Sequence, residues 1–395
     1  MSNSIFSDKT RDLSGSAIRA TFKLLADPEI ISFAGGAPSP DVFPKKELET
    51  IAQDIFASRG NLALQYGITE GYDPLRQFVK DRLVKQGVIN ESENVIITTG
   101  GQQVIDLAAK VLLNEGDNVV VEAPSFVGGL NCFRSYNANM ISVNVLSDGM
   151  DLDYLEEEVL KKTKIKLVYT IATFQNPSGI TMSLEKRKRL LNLASKYDFF
   201  ILEDNPYGEL RYKGEAVPTI KSMDSENRVI YAGSFSKTLS PGLRIGFFSA
   251  KDEILEKMVV CKQITDVHTP VLNQLIAYDF VTKHDYDAHI RKSCDLYGKK
   301  NELMLSCMDK VFPSYCSYTR PEGGLFLWCV LPDSFDSSLL FKKGVEKKVA
   351  FVPGSSCMVD TTKTYSSFRL NFSNTSDENI IKGISILADV IKSFE

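Results

Sequence analysis

The stretch that decides the fold is YAGSFSKTLSPGLRIGF, residues 231–247. In it Lys237 follows an apolar run and has hydroxyl-bearing neighbours, and Arg244 comes seven residues later. Most lysines are exposed surface charges. A lysine at the end of a buried strand, close to another cation, instead has a lowered pKa and can act as a nucleophile. The surrounding sequence decides between these two interpretations.

The composition excludes several classes of protein. The chain has 395 residues, 43% hydrophobic and 24% charged, which is typical of a globular protein of two or three domains. A net charge of −4 without a basic run argues against nucleic-acid binding. Seven dispersed cysteines and three histidines form no CxxC, HExxH or Cys/His cluster, so we expect reduced thiols in the cytoplasm and no metal site. A polar N-terminus and the absence of long apolar runs predict neither a signal peptide nor a membrane span.

The middle of the chain alternates predicted strands with predicted helices. Residues 102–113 and 183–198 show helical spacing of apolar residues, and several strand candidates are apolar on both faces, as in a parallel sheet. This alternation predicts an α/β domain with a mostly parallel central sheet flanked by helices. The strand candidates are NVIITT (94–99), NVVVEAP (118–124), KLVYTIATF (166–174), FFILED (199–204) and NRVIYAGS (227–234).

The pattern changes after about residue 285. A long amphipathic helix is followed by two strand candidates and a closing helix, which predicts a smaller α+β domain. We therefore divide the chain into an N-terminal segment (1–45) that joins the small domain, a large α/β domain (46–285) and the small C-terminal domain (286–395).

Five predicted strands end in residues with complementary chemistry. Ligands of open parallel α/β sheets lie beyond the carboxyl ends of the strands, so these residues should lie close together. They are Gly101 and Gln102 after the first strand, Phe126 after the second, Asn176 after the third, Asp204 and Tyr207 after the fourth, and Ser234, Ser236 and Lys237 after the fifth.

Each of these residues also has an ordinary structural interpretation. Gly101 could form a plain strand–helix turn, Phe126 could pack in the core, and Asp204 could cap a helix or pair with a cation. Together, however, they offer N–H groups and Arg244 to a phosphate, a flat face to an aromatic ring, and a carboxylate to a pyridine nitrogen. With the amine of Lys237 available to an aldehyde, the set predicts pyridoxal phosphate as the cofactor.

At these residues the sequence resembles the fold type I pyridoxal-phosphate aminotransferases of class I/II. The motifs are NPSG (176–179), EDNPYGEL (203–210), GSFSKTLSPGLRIGF (233–247) and FRLNFS (368–373). Residues 16–44 and 64–76 resemble the branch that holds 2-aminoadipate and kynurenine aminotransferases and the aminotransferase-like half of certain bacterial transcription regulators. We expect no DNA-binding half here. The resemblance implies a central sheet of the seven-stranded type.

The resemblance implies a cofactor role for each matching residue. Lys237 would form a Schiff base with the cofactor and move the proton of the substrate α-carbon, and Asp204 would keep the pyridine nitrogen protonated. Asn176 and Tyr207 would hydrogen-bond the ring hydroxyl oxygen, and Phe126 would stack on the ring. The phosphate would be held by Gly101, Gln102, Ser234, Ser236 and Arg244.

The resemblance also implies substrate-binding residues. Arg369 would clamp the substrate α-carboxylate with two parallel hydrogen bonds, beside Asn176. Gly36 would let the backbone approach the substrate, and Arg19 would meet the distal carboxylate of an acidic substrate. Tyr66 would reach the phosphate and substrate of the neighbouring subunit, which implies a homodimer with shared active sites.

The sequence therefore predicts a ping-pong aminotransferase that moves the amino group of an acidic (2-aminoadipate-like) or aromatic amino acid to a 2-oxo acid. The expected 2-oxo acid is 2-oxoglutarate. Two alternatives stay open at this point. A pyridoxal-phosphate lyase or decarboxylase would use the same cofactor residues, because the cofactor stabilises any carbanion at the substrate α-carbon. A non-catalytic sensor module derived from the same fold would keep the cofactor without turnover.

Overall fold

A computed structural model describes residues 29–394 together with residues 5, 7, 9 and 27. Its strands are β1 (Ile31–Ser32), β2 (Ile96–Thr98), β3 (Asn118–Ala123), β4 (Asn139–Leu146), β5 (Gly149–Met150), β6 (Leu167–Thr170), β7 (Phe200–Asp204), β8 (Val229–Ser234), β9 (Gly246–Ser249), β10 (Ser317–Tyr318), β11 (Phe326–Val330), β12 (Val349–Ala350), β13 (Val352–Pro353) and β14 (Ser367–Asn371). Its helices are α1 (Lys45–Leu64), α2 (Asp73–Lys85), α3 (Gly101–Leu112), α4 (Val127–Ser135), α5 (Leu152–Tyr154), α6 (Leu184–Tyr197), α7 (Asp252–Asp266), α8 (Val271–Lys283), α9 (Tyr286–Val311), α10 (Ser337–Glu346) and α11 (Asp377–Lys392).

The largest sheet has the strand order β2-β9-β8-β7-β6-β3-β4-β5. From β4 through β3, β6 and β7 to β8 all neighbours pair in parallel, whereas β9 runs antiparallel to both β2 and β8. Seven of these strands form the sheet expected from the resemblance. The eighth, β5, is a two-residue strand that turns back antiparallel along the end of β4. The predicted α/β fold is therefore confirmed.

One strand is shorter than its apolar run suggests. The run at residues 166–174 predicts nine residues, but β6 ends at Thr170. The next N–H group, that of Ile171, donates to the buried carboxylate of Glu122, so it is withdrawn from the strand ladder. Phe174 then adopts a φ of 51°, which extended strands do not allow. The chain thus leaves the sheet early and carries the residues after it towards the strand-end edge.

The register of the sheet brings distant strand ends together. Thr98 of β2 and Ser234 of β8 both pair with Gly246 of β9, so the ends of β2 and β8 lie on either side of the start of β9. The loop that carries Arg244 precedes Gly246 directly. As a result, this loop lies at the same edge as the turn that follows β2.

The C-terminal part of the chain contains a four-stranded antiparallel sheet in the order β10-β11-β14-β13. Helices α9 and α11 pack against each other in this part. Strand β1 pairs in parallel with β12, so residues 31–32 lie against the C-terminal part of the chain. The domain boundaries at residues 45 and 285 stay predictions. No helix among the described residues combines the length and apolarity needed to cross a membrane.

Candidate active site

A cavity of about 410 Å³ lies at the carboxyl-end edge of the large sheet. Residues from five strand ends, from the segment after β1 and from β14 contribute to its wall. Of the residues singled out in the sequence, those that line it are Gly36, Gly101, Gln102, Phe126, Asn176, Asp204, Tyr207, Ser234, Ser236, Lys237, Arg244 and Arg369.

A larger cavity of about 860 Å³ lies on the other side of the Asp204 strand end. Its charged side chains pair with one another or with neighbours: Arg82 bonds Glu209 and Asp287, and Arg211 bonds Glu322 at 2.7 Å. Since these charges neutralise each other, the smaller cavity is the better candidate for a reaction site.

One end of the smaller cavity is built to hold an anion. Gly100 connects β2 to α3 with a φ of 78°, and a Cβ on it would overlap the Arg244 guanidinium. Arg244 lies close to the carbonyl of Thr99 (Nη2 to O, 3.4 Å) and to the hydroxyl of Ser236 (Nη1 to Oγ, 3.4 Å). The N–H groups of Gly101 and Gln102 at the start of α3 have no intrahelical partner and point outward with the positive end of the helix dipole, whereas that of Gln103 donates to the Gly100 carbonyl at 3.2 Å. A guanidinium, hydroxyls and a helix N-terminus therefore face the same point.

Asp266 supports this anion-binding end from behind. Its Oδ2 accepts hydrogen bonds from Thr99 Oγ1 at 2.6 Å and from Gln103 Nε2 at 2.8 Å. Its Oδ1 accepts from the buried Lys262 at 2.8 Å. Gln103 in turn accepts from the N–H of Thr99 at 2.8 Å. Because these bonds tie α7 to the turn between β2 and α3, they fix the direction of the N–H groups at the start of α3.

Asp204 ends β7 as a buried carboxyl, 6% exposed, on the cavity wall. Burial raises the pKa of Asp204 to about 7, although the hydrogen bond from Tyr169 lowers it. The nearby Glu122 raises this pKa further, and Lys237 lowers it. A cationic partner in the cavity would stabilise the ionised form of this carboxyl.

Lys237 projects from the loop after β8 towards the segment after β1. Its Nζ donates to the carbonyl of Gly36 at 2.8 Å. Burial lowers the pKa of Lys237 to about 8, the cations Arg369 and Arg244 lower it too, and Asp204 raises it. The amine therefore loses its proton as the pH rises through about 8, well below the ordinary range of lysine, and only the neutral amine is nucleophilic or basic.

Arg369 lies on β14 and is 4% exposed. Its guanidinium packs over the ring of Phe326 at 4.4 Å and donates to Asn176 Oδ1 at 2.9 Å and to the carbonyl of Ala34 at 2.7 Å. Its Nε is buried without a hydrogen-bond partner among the described residues. On the other side Asn176 Nδ2 donates to the Tyr207 hydroxyl at 3.4 Å. Arg369 thus keeps donor capacity for an anionic group at the wall of the cavity.

The sequence model of the family "Aminotransferase class I and II" matches residues 28–387. The chain belongs to this family. It is 41% identical over 392 residues to aromatic-amino-acid aminotransferase 1 of Thermococcus litoralis, covering 98% of this chain and 94% of that protein. It is also 41% identical over 384 residues to 2-aminoadipate transaminase of Thermus thermophilus (96% and 94% covered).

A solved structure with the same fold is that of kynurenine aminotransferase from Pyrococcus horikoshii, in complex with PMP, at a TM-score of 0.95 and 41% identity. The match covers 99% of this chain and 97% of the other. The cofactor of the aminotransferase described here is pyridoxal phosphate, and its substrates are amino acids and 2-oxo acids.

The cavity fits this cofactor. The anion-binding end suits a phosphate, and the ring of Phe126 lines the same cavity. Gly128 leaves room for this ring, since a Cβ there would lie 2.5 Å from the Phe126 side chain. Asp204 offers its carboxylate to a ring nitrogen, and Lys237 offers a partly neutral amine to an aldehyde.

One residue singled out in the sequence lies away from the cavity. Tyr66 is 79% exposed and contacts the ring of His268 edge-on, with 5.8 Å between centroids, rather than the cavity of its own chain. Arg19 lies outside the described residues.

Three further residues at the site were missed in the sequence: Tyr169, Glu122 and Asp266. Tyr169 and Glu122 lie within predicted strands rather than at their ends, whereas Asp266 follows no strand. A polar atom inside a buried run was the only available signal for the first two.

We expect the reactivity of Lys237 in the cofactor-free aminotransferase to follow its lowered pKa. The neutral fraction of the amine grows as the pH rises through about 8. Competitive acetylation with trace acetic anhydride, followed by peptide mapping, should give a midpoint near 8 for Lys237 in the folded protein. The same peptide in the unfolded chain should titrate near pH 10.4. A folded-state midpoint equal to the unfolded one would contradict the predicted environment.

Proposed function

We propose that this aminotransferase moves the amino group of an aromatic or an acidic, 2-aminoadipate-like amino acid to 2-oxoglutarate in a ping-pong cycle. The observation that carries the proposal is that Lys237, Asp204 and Arg369 line one cavity of about 410 Å³. The wall of the cavity also includes the anion-binding end and the apolar side chains of Ile105 and Val127.

The residues divide the chemistry among them. Bound pyridoxal phosphate supplies an electron sink for the bond that breaks at the substrate α-carbon. Arg369 binds the substrate α-carboxylate through parallel hydrogen bonds and so presents the α-hydrogen to Lys237. The neutral amine of Lys237 takes this proton as a general base. Asp204 holds a negative charge against the ring nitrogen, and Arg244 with Ser236 binds the phosphate.

The side chains around the cavity support the choice of donors. Ile105 and Val127 add apolar side chains to the cavity wall, which suits an aromatic side chain. Apart from Arg244 and Arg369, the described part of the cavity wall contains no arginine. The distal carboxylate of an acidic donor would therefore need Arg19.

A donor panel tests the proposal. Phenylalanine, kynurenine, 2-aminoadipate, leucine and alanine are each supplied with 2-oxoglutarate, and glutamate formation is measured. The aromatic and acidic donors should give the highest kcat/KM. Arg19→Ala should lower kcat/KM for 2-aminoadipate and leave phenylalanine unchanged. Best turnover of alanine, or release of ammonia or carbon dioxide in place of amino transfer, would contradict the proposal. The family match favours amino transfer over elimination, decarboxylation or sensing.

We further propose that the aminotransferase acts as a homodimer with shared active sites. Tyr66 is exposed next to further large apolar side chains, and such a surface is typical of an interface. The exposed large apolar residues on α1, on the loop after it, on α7 and directly after α7 are Phe56, Leu62, Leu64, Tyr66, Ile68, Val260, Ile264 and Val267. Light scattering should give twice the 44.0 kDa mass of one chain. A monomer at micromolar concentration with full activity would contradict the proposal. The cytoplasmic location stays a prediction.

A further inference from the structure

The carboxylate of Asp204 is held by one side chain that the amino-transfer chemistry does not itself use. Tyr169 donates its hydroxyl proton to Asp204 Oδ2 at 2.9 Å. Among the described residues this is the one side-chain hydrogen bond to the Asp204 carboxylate. Tyr169 is fully buried on β6, whose neighbour in the sheet is β7, and the register pairs Tyr169 with Leu202. The contact therefore joins two adjacent strands close to their carboxyl ends.

Tyr169 also has a packing role, which has to be separated from its polar one. Its ring contacts Phe133 edge-on at 5.6 Å between centroids, and a phenylalanine would pack there as well. The hydroxyl, by contrast, needs space and a polar partner in the interior. Helix α4 provides the space with Gly129: a Cβ on this residue would lie 2.8 Å from the Tyr169 ring and 3.3 Å from its hydroxyl oxygen.

The charges around Asp204 make this hydrogen bond consequential. Glu122 is a second buried carboxyl beside it, bonded to Thr170 Oγ1 at 2.7 Å and to Gln175 Nε2 at 3.1 Å. Burial and Glu122 both raise the pKa of Asp204, whereas Tyr169 and, across the cavity, Lys237 lower it. Without the hydrogen bond from Tyr169, the negative charge of Asp204 would be stabilised only by Lys237, while the neighbouring Glu122 would still destabilise it.

We propose that Tyr169 is a positioning residue of the cofactor site, whose hydroxyl holds the Asp204 carboxylate towards the ring nitrogen of pyridoxal phosphate. Gly129 is part of the same arrangement, because it leaves the hydroxyl room to reach Asp204. The inference rests on the cofactor site and is independent of which amino acid is the donor.

The test compares Tyr169→Phe with the wild-type protein, using two cofactors. One is pyridoxal phosphate, and the other is its carbocyclic analogue, in which carbon replaces the ring nitrogen. Tyr169→Phe should raise the Kd of pyridoxal phosphate roughly 10-fold or more, since hydrogen bonds to charged groups are worth that much. The Kd of the analogue should stay unchanged, because it has no ring nitrogen for Asp204 to meet.

Kinetics of the holoenzyme give a second readout. Loss of the donor raises the pKa of Asp204, so the acid-side midpoint of kcat/KM should move to higher pH in Tyr169→Phe. The KM for the amino acid at the pH optimum should not change. Gly129→Ala should shift both readouts in the same direction, since its Cβ displaces the Tyr169 ring.

Phe133→Leu is the matched control for packing. It removes the ring that contacts Tyr169 but leaves the Tyr169 hydroxyl, so it should lower Tm. The ratio of the Kd values for the two cofactors and the acid-side midpoint of kcat/KM should stay at their wild-type values. The proposal is overturned if Tyr169→Phe weakens both cofactors equally, or if it changes neither the Kd ratio nor the midpoint. Wild-type amino transfer is measured in parallel, so a failure of the proposed function would be visible separately.

Discussion

Replacing Lys237 by alanine should lower kcat for amino transfer by about 10⁴-fold, the upper end of the effect of a positioned proton-transfer group. The reason is that the described wall of the cavity contains no other amine and no imidazole. The Nζ atom of Lys237 lies 2.8 Å from the Gly36 carbonyl, which directs it into the space where the substrate would bind. Stopped-flow measurement of the half-reaction with an excess of amino acid gives the rate directly.

A second buried lysine provides the control. Lys221 is 3% exposed and pairs with Glu93 at 2.6 Å, away from the cavity. Lys221→Met should lower Tm and leave kcat close to the wild-type value. If Lys237→Ala retained turnover within tenfold of the wild-type protein while Lys221→Met behaved as expected, the assignment of Lys237 as the general base would be wrong.

Replacing Arg369 by glutamine should lower kcat/KM for amino acids by about 10²- to 10³-fold, mainly through a higher KM. Truncating one partner of a buried, charge-assisted pair costs 2–5 kcal/mol or more, and each 1.4 kcal/mol is about tenfold. Arg369 is 4% exposed and packed over Phe326, so its hydrogen bonds to the substrate carboxylate would form in a largely buried place.

The substrate pair phenylalanine and phenethylamine separates this role from a general loss of structure. The wild-type protein should prefer the amino acid strongly, because phenethylamine has no carboxylate. In Arg369→Gln the preference for phenylalanine over phenethylamine should nearly vanish. The slow rate with phenethylamine should equal that of the wild-type protein. Arg369→Lys, which keeps the charge but not the planar pair of donors, should fall between the two. An amino-acid preference that survives in Arg369→Gln would exclude Arg369 as the carboxylate-binding residue.

The chemistry of the strand ends could be predicted because it depends on few assumptions. Once the strands are taken as parallel, their carboxyl ends share one edge whatever the strand order. Lys237, Asp204 and Asn176 therefore had to lie near one another, and the structure places all three on the same cavity. The length of β6 could not be predicted in this way, because it ends where Ile171 donates to Glu122, a residue 49 positions earlier.

The hydrogen bonds that hold the site residues in place could not be predicted from the sequence either, because they join residues far apart in the chain. Asp266 reaches Thr99 across 167 positions, and Tyr169 reaches Asp204 across 35. Neither pair shows any periodicity or motif that would connect its two members. Tyr66 illustrates the opposite limit: its exposure in one chain is visible, but the role proposed for it requires a second copy of the chain.

The sequence by itself determined the alternation of strands and helices and the reactive groups at the strand ends, since both follow from local residue patterns and from the common direction of parallel strands. Only the tertiary structure decided which buried side chains hold those groups in place. The direction of the Tyr169 hydroxyl follows from β6 lying beside β7 in one particular register, with Gly129 above it. Such neighbours are set by the packing of the whole sheet and its helices, which no local pattern encodes.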